Sequence, residues 1–454
     1  MKLARIATPA MFAALLGAAA LSHPACRQPA QPPNILYIMT DDHAAHMLSC
    51  YGSKIASTPN LDRIASQGIR FENAFVTNSL CAPSRAVILT GRYSHKNGQR
   101  TNGDTFDGAQ HTFPKLLQQA GYQTAMIGKW HLKSDPTGFD YWNILPGQGQ
   151  YHNPQLIEMG ETKTHQGYVT DIITDIALDW LKNRDQTRPF ALLYHHKAPH
   201  GGWEPDEKHV SMFEGETIPA PETFGDDLTG RARPVQVVDS LMVPTLLERI
   251  TRWRHPTKPV PDEKLPLEAK RQVVYQGYVK DYMRVVASVD DNVGRVLDYL
   301  DEAGLTDNTV VIYTSDNGMF VGDHGLFDKR LMHEVSLRLP LLVRYPARIK
   351  PGSVTKAFSL NADYAPTILD YAGVPIPSGM QGRSLRPVLE GATPADWRKS
   401  IYYHYYEEDV WELIDLQADP LEYKNVYDDP ANAAIISELK AELDRLRAEL
   451  EIDE

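Results

Sequence analysis

The sequence predicts an α/β fold in which helices cover a large, mainly parallel β-sheet. Short apolar runs, of the kind that strands buried on both faces need, recur along the chain. Two longer segments between them, 169–181 and 275–300, carry apolar residues at the three- and four-residue spacing of an amphipathic helix. Strands that alternate with helices favour a parallel, doubly covered sheet. The strand runs are Ile35–Met39, Ala125–Ile127, Phe190–Tyr194, Val310–Tyr313 and Leu341–Val343.

Residues 1–25 are predicted to be a signal peptide rather than part of the fold. Lys2 and Arg5 precede the apolar run Ala10–Leu21, whose 12 residues are too few to span a bilayer and suit a secretory signal. Cys26 follows in a sequence that loosely resembles a lipidation site, which leaves a lipoprotein as the alternative to a soluble periplasmic or secreted form. No later segment reaches the roughly 18 apolar residues of a membrane helix. We therefore expect an exported protein without a transmembrane span.

The rest of the chain divides into a large domain at 33–395 and a small C-terminal subdomain at 396–454. From 217 to 265 the sequence is rich in Pro, Asp and Arg, which indicates a long surface excursion from the large domain. The C-terminal part contains two aromatic runs that favour a small antiparallel sheet, followed by a charged helix. These three segments are Ile401–Tyr406, Val410–Ile414 and Ile435–Leu450.

The charge of the chain excludes one class of partner. Of 454 residues, 46 are Lys or Arg and 58 are Asp or Glu, which gives a formal charge of −12. Because no long basic run is present, we expect no nucleic-acid binding. A small anionic ligand stays compatible with this charge if cationic side chains gather at one site. Three Cys residues are too few for a disulfide framework.

Polar side chains follow four of the predicted strands directly. Because ligands bind beyond the carboxyl ends of strands in open parallel sheets, we expect these side chains to converge on one site. A single such cluster would be an ordinary strand-ending turn, but four at one edge of a sheet indicate function. The four groups are Asp41 and Asp42; Lys129 and His131; His195, His196, Lys197 and His200; and Asp316 and Asn317.

The acidic groups predict a metal site. Asp41, Asp42, Asp316 and Asn317 offer hard oxygen ligands, which suit Ca²⁺, and less well Mg²⁺, rather than zinc. Two adjacent carboxylates also repel each other unless a cation or a proton relieves the charge. The alternative is structural: Asp41 and Asp42 would cap a following helix, and Asp316–Gly318 would be a turn.

A Cys-containing segment predicts a reactive group beside an anion clamp. Pro83 suits the first turn of a helix, which places Cys81 at the helix N-terminus, where free N–H groups favour negative charge. Arg85 lies four residues on, on the same face, and can offer its donors to an oxyanion. The alternative for a lone Cys is a small buried apolar residue, which is how we interpret Cys50.

These motifs resemble those of the type I sulfatases, members of the alkaline phosphatase superfamily. The resemblance covers most of the chain after the signal and implies an alkaline phosphatase-like fold. It is specific because four motifs occur in the family's order. They are Asn34–Asp42, Cys81–Arg85 followed by Leu89–Gly91, Gly121–His131, and Thr314–Gly318 followed by Gly322–Lys329.

The resemblance implies an enzyme whose Cys81 is converted to formylglycine by a maturation enzyme. The hydrate of that aldehyde would attack the sulfur of a sulfate ester. Ca²⁺ would be held by Asp41, Asp42, Asp316, Asn317 and the modified Cys81, and Arg85, Lys129 and Lys329 would neutralise the sulfuryl oxygens. His200 would protonate the leaving alcohol, with Lys329 beside it. His131 would take the proton of the second hydroxyl, which expels sulfate and restores the aldehyde.

Local sequence indicates the class of substrate. The runs His195–His200 and Gly138–Trp142, the latter followed by Pro-Gly-Gln-Gly, are most similar to bacterial exo-acting carbohydrate sulfatases. This resemblance implies a glycosaminoglycan or mucin-type saccharide, with 6-O-sulfated N-acetylglucosamine as the specific expectation. The candidate sugar contacts are Trp203, Asp323, His324 and His404.

One departure from the family pattern affects the C-terminal subdomain. A further strand usually precedes the Trp-Glu-Leu segment, but here Tyr406 leads almost directly to Val410. The small sheet should therefore lose its central pairing or rearrange. Two alternatives of different classes stay open. The first is a phosphatase or phosphodiesterase of the same superfamily, with a Ser or Thr nucleophile and two zinc ions. The second is an inactive exported glycan-binding protein, if Cys81 is never converted or the missing strand ruins the pocket.

Overall fold

The computed structural model describes residues 32–231, 242–249, 259–406 and 411–452. The predicted signal peptide and Cys26 lie outside these residues, as do parts of the 217–265 excursion. The chain from Pro32 to Glu454 groups into one compact unit, so the boundary at 395 stays a prediction. None of the helices in the described ranges is both long enough and apolar enough to cross a membrane.

A ten-stranded sheet forms the centre of the fold, in the order β13-β2-β12-β9-β1-β8-β4-β5-β6-β7. The five central strands β9, β1, β8, β4 and β5 are all parallel, whereas β12, β6 and β7 add antiparallel pairings towards the edges. The strands are β1 (Asn34–Thr40), β2 (Ile69–Phe71), β3 (Ala74–Phe75), β4 (Gln123–Lys129), β5 (Tyr141–Leu145), β6 (Gln155–Glu158), β7 (Glu161–Thr164), β8 (Phe190–His195), β9 (Thr309–Ser315), β10 (Phe320–Val321), β11 (Phe327–Asp328), β12 (Leu341–Arg344), β13 (Ser353–Thr355) and β14 (Ser359–Leu360). The predicted large, mainly parallel sheet is confirmed.

Helices pack on both faces of this sheet. Along β1 the side chains alternate: Leu36 and Ile38 enter the core under α1, α5 and α6, whereas Tyr37 and Met39 enter the core under α2, α4 and α8. Burial on both faces explains why the strand is apolar without interruption. The helices are α1 (Pro59–Ser66), α2 (Cys81–Thr90), α3 (Ser94–Asn97), α4 (Phe113–Gln119), α5 (Val169–Asn183), α6 (Leu267–Glu302), α7 (Glu334–Leu337), α8 (Tyr364–Ala372), α9 (Arg386–Leu389) and α10 (Ala433–Glu449).

The described parts of the predicted C-terminal subdomain contain its helix but no regular β-ladder. The charged run expected at Ile435–Leu450 forms α10. In the described parts of 396–454 the two aromatic runs are joined to neighbours by separate main-chain bonds, such as Val426 N to Leu413 O at 2.8 Å, and not by a regular ladder. The expected loss or rearrangement of the central pairing concerns the segment around 407–410, which lies outside the described residues, and stays a prediction. A short antiparallel pair, β10 with β11, lies instead between β9 and β12 in the chain.

Candidate active site

The parallel strands bring the predicted acidic residues to one edge of the sheet. β1 ends at Thr40 and β9 ends at Ser315, and these two residues are paired in register. The pairs Asp41–Asp42 and Asp316–Asn317 therefore leave neighbouring strands side by side, and all four side chains are buried. The topology thus accounts for the convergence that the sequence predicted.

The strands on the other side of β1 supply cationic and imidazole groups. Lys129 is the last residue of β4, and Gly128 before it has φ +105°. A Cβ atom at Gly128 would lie 1.8 Å from the carbonyl oxygen of His195, the last residue of β8. Glycine is required here because the two strand ends approach so closely. The same closeness lets His195 Nδ1 reach the carbonyl oxygen of Lys129 at 3.3 Å.

Cys81 begins α2, as the sequence predicted, after the extended residue Leu80. Its thiol is buried and donates to Asp41 Oδ1 at 3.3 Å. Burial raises the pKa of the Cys81 thiol well above its usual value, although Lys329 and Arg85 partly oppose this shift. An unmodified Cys81 is therefore protonated and a weak nucleophile, which is consistent with a need for conversion before catalysis.

The guanidinium group of Arg85 is bound to the carboxylate of Asp316 and to the main chain at Lys129. Its Nε donates to Asp316 Oδ2 at 2.9 Å, its Nη2 lies 2.8 Å from the same oxygen as an ion pair, and its Nη1 donates to the Lys129 carbonyl at 2.6 Å. Burial opposes ionisation of Asp316, but Arg85 followed by Lys129 and Lys329 holds the pKa of this carboxyl below its usual value. The guanidinium thus fixes Asp316 as a carboxylate.

Asp42 adopts a strained backbone and meets Lys329. Its φ is 68°, in the left-handed region that non-glycine residues rarely adopt. Lys329 Nζ donates to Asp42 Oδ2 at 2.5 Å, and Asn317 Nδ2 reaches Asp42 Oδ1 at 3.3 Å. Burial raises the pKa of Asp42 to about 6, against the opposing charge of Lys329. Burial of Lys329 lowers the pKa of its ammonium group, but the charge of Asp42 outweighs this effect and raises that pKa above its usual value.

Lys129 completes a third pair of opposite charges. Its Nζ contacts Asp41 Oδ2, and the same ammonium donates to Gln148 Oε1 at 2.5 Å. Burial and the positive charge of Lys197 lower the pKa of Lys129, and the carboxylate of Asp316 partly opposes that shift. Each carboxylate of this group therefore has a cationic partner: Asp41 with Lys129, Asp42 with Lys329 and Asp316 with Arg85.

The two candidate proton-transfer residues are both neutral imidazoles. Burial, and then the charge of Lys129, lowers the pKa of His131 to about 2 and that of His200 well below its usual value. His200 Nε2 lies 3.8 Å from Asp42 Oδ2, and the Nδ1 atoms of both rings have no hydrogen-bond partner among the described residues. His131 would accept a proton once a bound anion raised its pKa. His200 would become a proton donor once an anion beside it raised its pKa.

The donor set fits a hard cation. Asp41, Asp42, Cys81 and His200 each offer one atom, and these atoms all lie within 4.8 Å of one another. The side-chain oxygen Oδ1 of Asn317 is buried and has no hydrogen-bond partner in the described ranges. A buried acceptor without a donor is costly unless a ligand satisfies it. A cation bound by these carboxylate and amide oxygens would satisfy it.

The four candidate sugar contacts differ in position. Trp203 is only 2% exposed, packs 4.6 Å from the ring of Tyr278 and donates its indole N–H to Pro199 O at 2.8 Å. This burial favours a packing role over the sugar contact that we expected. His324 is also buried, and its Nδ1 lies 2.6 Å from Asp226 Oδ2. Asp323 accepts from the Val321 amide at 3.0 Å, and the ring of half-buried His404 stacks on Tyr406 at 3.7 Å.

Two residues that sequence reasoning did not select, Gln148 and Tyr151, also touch the site, as does Lys197 of the predicted group His195–His200. Gln148, in the Pro-Gly-Gln-Gly run, binds Lys129, and Tyr151 donates its hydroxyl to the His200 carbonyl at 2.6 Å. Lys197 is buried with its Nζ 4.7 Å from the Tyr151 ring, and burial lowers its pKa to about 8. The sequence signal for Gln148 was weak, a Gln flanked by glycines, whereas Lys197 was already part of the predicted polar group.

Comparisons of this chain with known proteins agree with the geometry of the site. Residues 33–374 match the sulfatase family, and residues 407–449 match the C-terminal region of N-sulphoglucosamine sulphohydrolase. An N-acetylglucosamine-6-O-sulfatase of Bacteroides thetaiotaomicron is 45% identical over 482 residues, which cover 91% of this chain and 86% of the relative. The human N-acetylglucosamine-6-sulfatase is 29% identical over 83% of this chain and 68% of its own length.

A solved structure gives the same result for the fold. It has a TM-score of 0.86 and 42% identity, and covers 93% of this chain and 99% of its own. That structure is described as a complex with its substrate, D-glucosamine-2-N,6-O-disulfate. The match to the family extends over more than half of the chain, and the expected motif residues lie together at the strand ends. This chain therefore belongs to the sulfatase family.

Proposed function

We propose that this sulfatase hydrolyses the 6-O-sulfate ester of N-acetylglucosamine, or of N-sulfated glucosamine, in sulfated glycans. The observation that carries the proposal is the group of three cationic side chains and two neutral imidazoles around Cys81. A sulfate monoester needs positive charge at its non-bridging oxygens and a proton donor at its leaving oxygen. The names of the relatives, and the disulfated glucosamine bound by the similar structure, support the choice of sugar.

Ca²⁺ is the metal that the oxygen donors favour. Asp41, Asp42, Asp316 and Asn317 would hold it, together with the modified side chain at position 81. When bound, the ion would act as a Lewis acid and as a template for the sulfate group. Arg85 would keep Asp316 ionised and oriented through the two contacts described above. Mg²⁺ is less suitable because it demands near-ideal octahedral geometry.

The side chains around Cys81 can then divide the reaction between them. Conversion of Cys81 to formylglycine would supply a hydrated aldehyde, whose hydroxyl attacks sulfur. Lys129 and Lys329 would neutralise the sulfuryl oxygens. His200 would protonate the departing sugar oxygen, and neutral His131 would accept the proton of the remaining hydroxyl. We assign no sugar contact to Trp203, whereas Asp323, His324 and His404 stay candidates.

The test is sulfate release by the purified, matured protein from 6-O-sulfated N-acetylglucosamine. Matched substrates with the sulfate at O3 or O4 test position, an aryl sulfate tests the sugar requirement, and a phosphate monoester tests the alternative chemistry. We expect release from the 6-O-sulfate only. Release from a phosphate ester that exceeds it, or zinc in the purified protein, would favour the phosphatase alternative.

The Cys81→Ala variant is the matched control for turnover. It should bind the substrate but release no sulfate, and activity equal to the native protein would overturn the mechanism. Peptide mass spectrometry should find position 81 lighter than Cys by about 18 Da after co-expression with a maturation enzyme. An unchanged Cys81 in a protein that binds the glycan would instead favour the inactive glycan-binding alternative.

We infer that the protein is exported before it acts. The signal-like run Ala10–Leu21 and the extracellular occurrence of sulfated glycans support this inference. N-terminal sequencing of the secreted protein should find cleavage near residue 25, and a lipid-modified Cys26 would indicate an anchored form. The proposed division at residue 395 can be tested by limited proteolysis.

A further inference from the structure

A row of tyrosines on α6 faces the loops that carry the candidate site. Tyr275, Tyr278 and Tyr282 recur at three- and four-residue spacing, and all three are fully buried. From the sequence they are simply the apolar face of a helix. In the structure each hydroxyl donates to a main-chain carbonyl of another segment. Tyr275 donates to the Pro219 carbonyl at 2.9 Å and Tyr278 to the Phe320 carbonyl at 2.8 Å. Tyr282 donates to the Asp42 carbonyl at 2.7 Å.

Tyr282 makes the most specific of these contacts. Its hydroxyl donates to the Asp42 carbonyl and also accepts from the Ala44 amide at 2.9 Å. The two bonds hold the main chain on either side of His43, directly after the residue whose φ of 68° turns the chain at the end of β1. A left-handed backbone at a non-glycine residue persists only when its surroundings fix it. The Tyr282 hydroxyl is such a constraint, because it fixes the carbonyl of the turn residue itself and the amide two residues later.

The same helix also packs against two further segments of the site, those that carry His200 and Lys329. The ring of Tyr278 packs 4.6 Å from Trp203, which follows His200, and 6.4 Å from Phe327, which precedes Lys329. One face of α6 therefore contacts the chain beside Asp42, His200 and Lys329. A purely apolar helix face would need no hydroxyl groups. The hydroxyl groups of these tyrosines are buried and need hydrogen-bond partners. The hydroxyl of Tyr282 finds its partners in the main chain of Asp42 and Ala44, just after β1.

We infer that Tyr282 is a positioning residue for the metal site, acting through the main chain of Asp42. The inference rests on the proposed Ca²⁺ site at Asp41, Asp42, Asp316 and Asn317. Without the hydroxyl, the turn at Asp42 would be less constrained, and its carboxylate would spend less time in the orientation that the ion needs. Loss of an outer partner of a metal ligand typically weakens metal affinity by roughly 10- to 100-fold.

The experiment measures Ca²⁺ binding by calorimetry on the full mature chain, without substrate. Tyr282→Phe removes only the hydroxyl. Tyr275→Phe is the matched control, because it removes a hydroxyl from the same helix face that donates to Pro219 instead. Asp42→Asn is the reference for a damaged ligand. Thermal unfolding of each variant in EDTA measures any general loss of stability.

We expect Tyr282→Phe to bind Ca²⁺ at least about tenfold more weakly than Tyr275→Phe, the lower bound for outer partners, at similar unfolding temperatures in EDTA. Equal affinity in the two variants, whether weakened or not, would overturn the role of Tyr282. If the native protein and Asp42→Asn both fail to bind Ca²⁺, the proposed metal site itself is wrong. Native binding that Asp42→Asn loses and Tyr282→Phe keeps would overturn the positioning role alone.

Discussion

Replacing Arg85 by Met should destabilise the protein strongly, and Ca²⁺ should restore part of the loss. Arg85 reaches Asp316 Oδ2 at 2.9 and 2.8 Å and the Lys129 carbonyl at 2.6 Å, and both charged side chains are buried. Removing one partner of a buried ion pair leaves an uncompensated charge, which costs about 3–5 kcal/mol. Met retains much of the apolar stem, so the loss of packing is small by comparison.

Denaturant unfolding in EDTA and in saturating Ca²⁺ measures the two contributions separately. In EDTA we expect the full loss. A ligand at about 100 times its Kd stabilises the folded state by about 2.7 kcal/mol. In Arg85→Met this stabilisation should be larger than in the native protein, because the ion also supplies the positive charge that Asp316 has lost. The difference between variant and native protein should therefore shrink when Ca²⁺ is added.

Arg398→Met is the control for a buried ion pair without a metal. Arg398 contacts both carboxylate oxygens of the buried Asp363, a residue outside the predicted ligand set. Its loss of stability should be the same in EDTA and in Ca²⁺. A loss of less than about 1 kcal/mol for Arg85→Met in EDTA, typical of an exposed ion pair, would refute the reasoning. An equal effect of Ca²⁺ on both variants would refute it too.

Three further predictions follow from the site and its surroundings. Lys129→Met should bind Ca²⁺ more tightly in calorimetry, because a competing cation at Asp41 is gone, while kcat falls by about 100-fold or more. His200→Gln should lose more kcat on a sugar sulfate than on a nitrophenyl sulfate, whose leaving group needs no proton; equal losses would exclude His200 as the acid. Burial raises the pKa of Glu422 from 4.5 to about 7. Because the folded state holds this proton more tightly, stability should fall by up to about 3 kcal/mol from pH 4.5 to 7. Glu422→Gln should flatten that decline in unfolding measured across the same pH range.

The sequence was most informative where function follows from the ends of strands. Asp41, Lys129 and Asp316 lie directly after continuous apolar runs, and parallel pairing brings such positions to one edge whatever the loops do. Arg85 could be placed beside Cys81 because a four-residue spacing fixes two side chains on one face of a helix. These inferences needed only local geometry and the order of the strands.

Contacts between distant segments were not predictable from pattern. The sequence places Trp203 near the site as a candidate sugar contact, but it does not show that the path of the loop packs the ring against Tyr278. The Tyr282 hydroxyl was missed for a related reason. Helical spacing identifies a buried face, but it does not show which residues on that face need a hydrogen-bond partner. Gln148 illustrates the same limit, because its role depends on where the ammonium group of Lys129 lies, which the sequence does not show.

The balance of charges explains how an acidic protein accepts an anionic substrate. The chain carries a net charge of −12, and in the site the cations are held by carboxylates, Lys129 by Asp41 and Lys329 by Asp42. In that state the ammonium groups are neutralised and offer little attraction to a sulfate. They can turn to sulfuryl oxygens only when the carboxylates have another positive partner. A divalent cation at these carboxylates would therefore recruit both lysines to the substrate, which makes metal binding a precondition of substrate affinity rather than only of turnover.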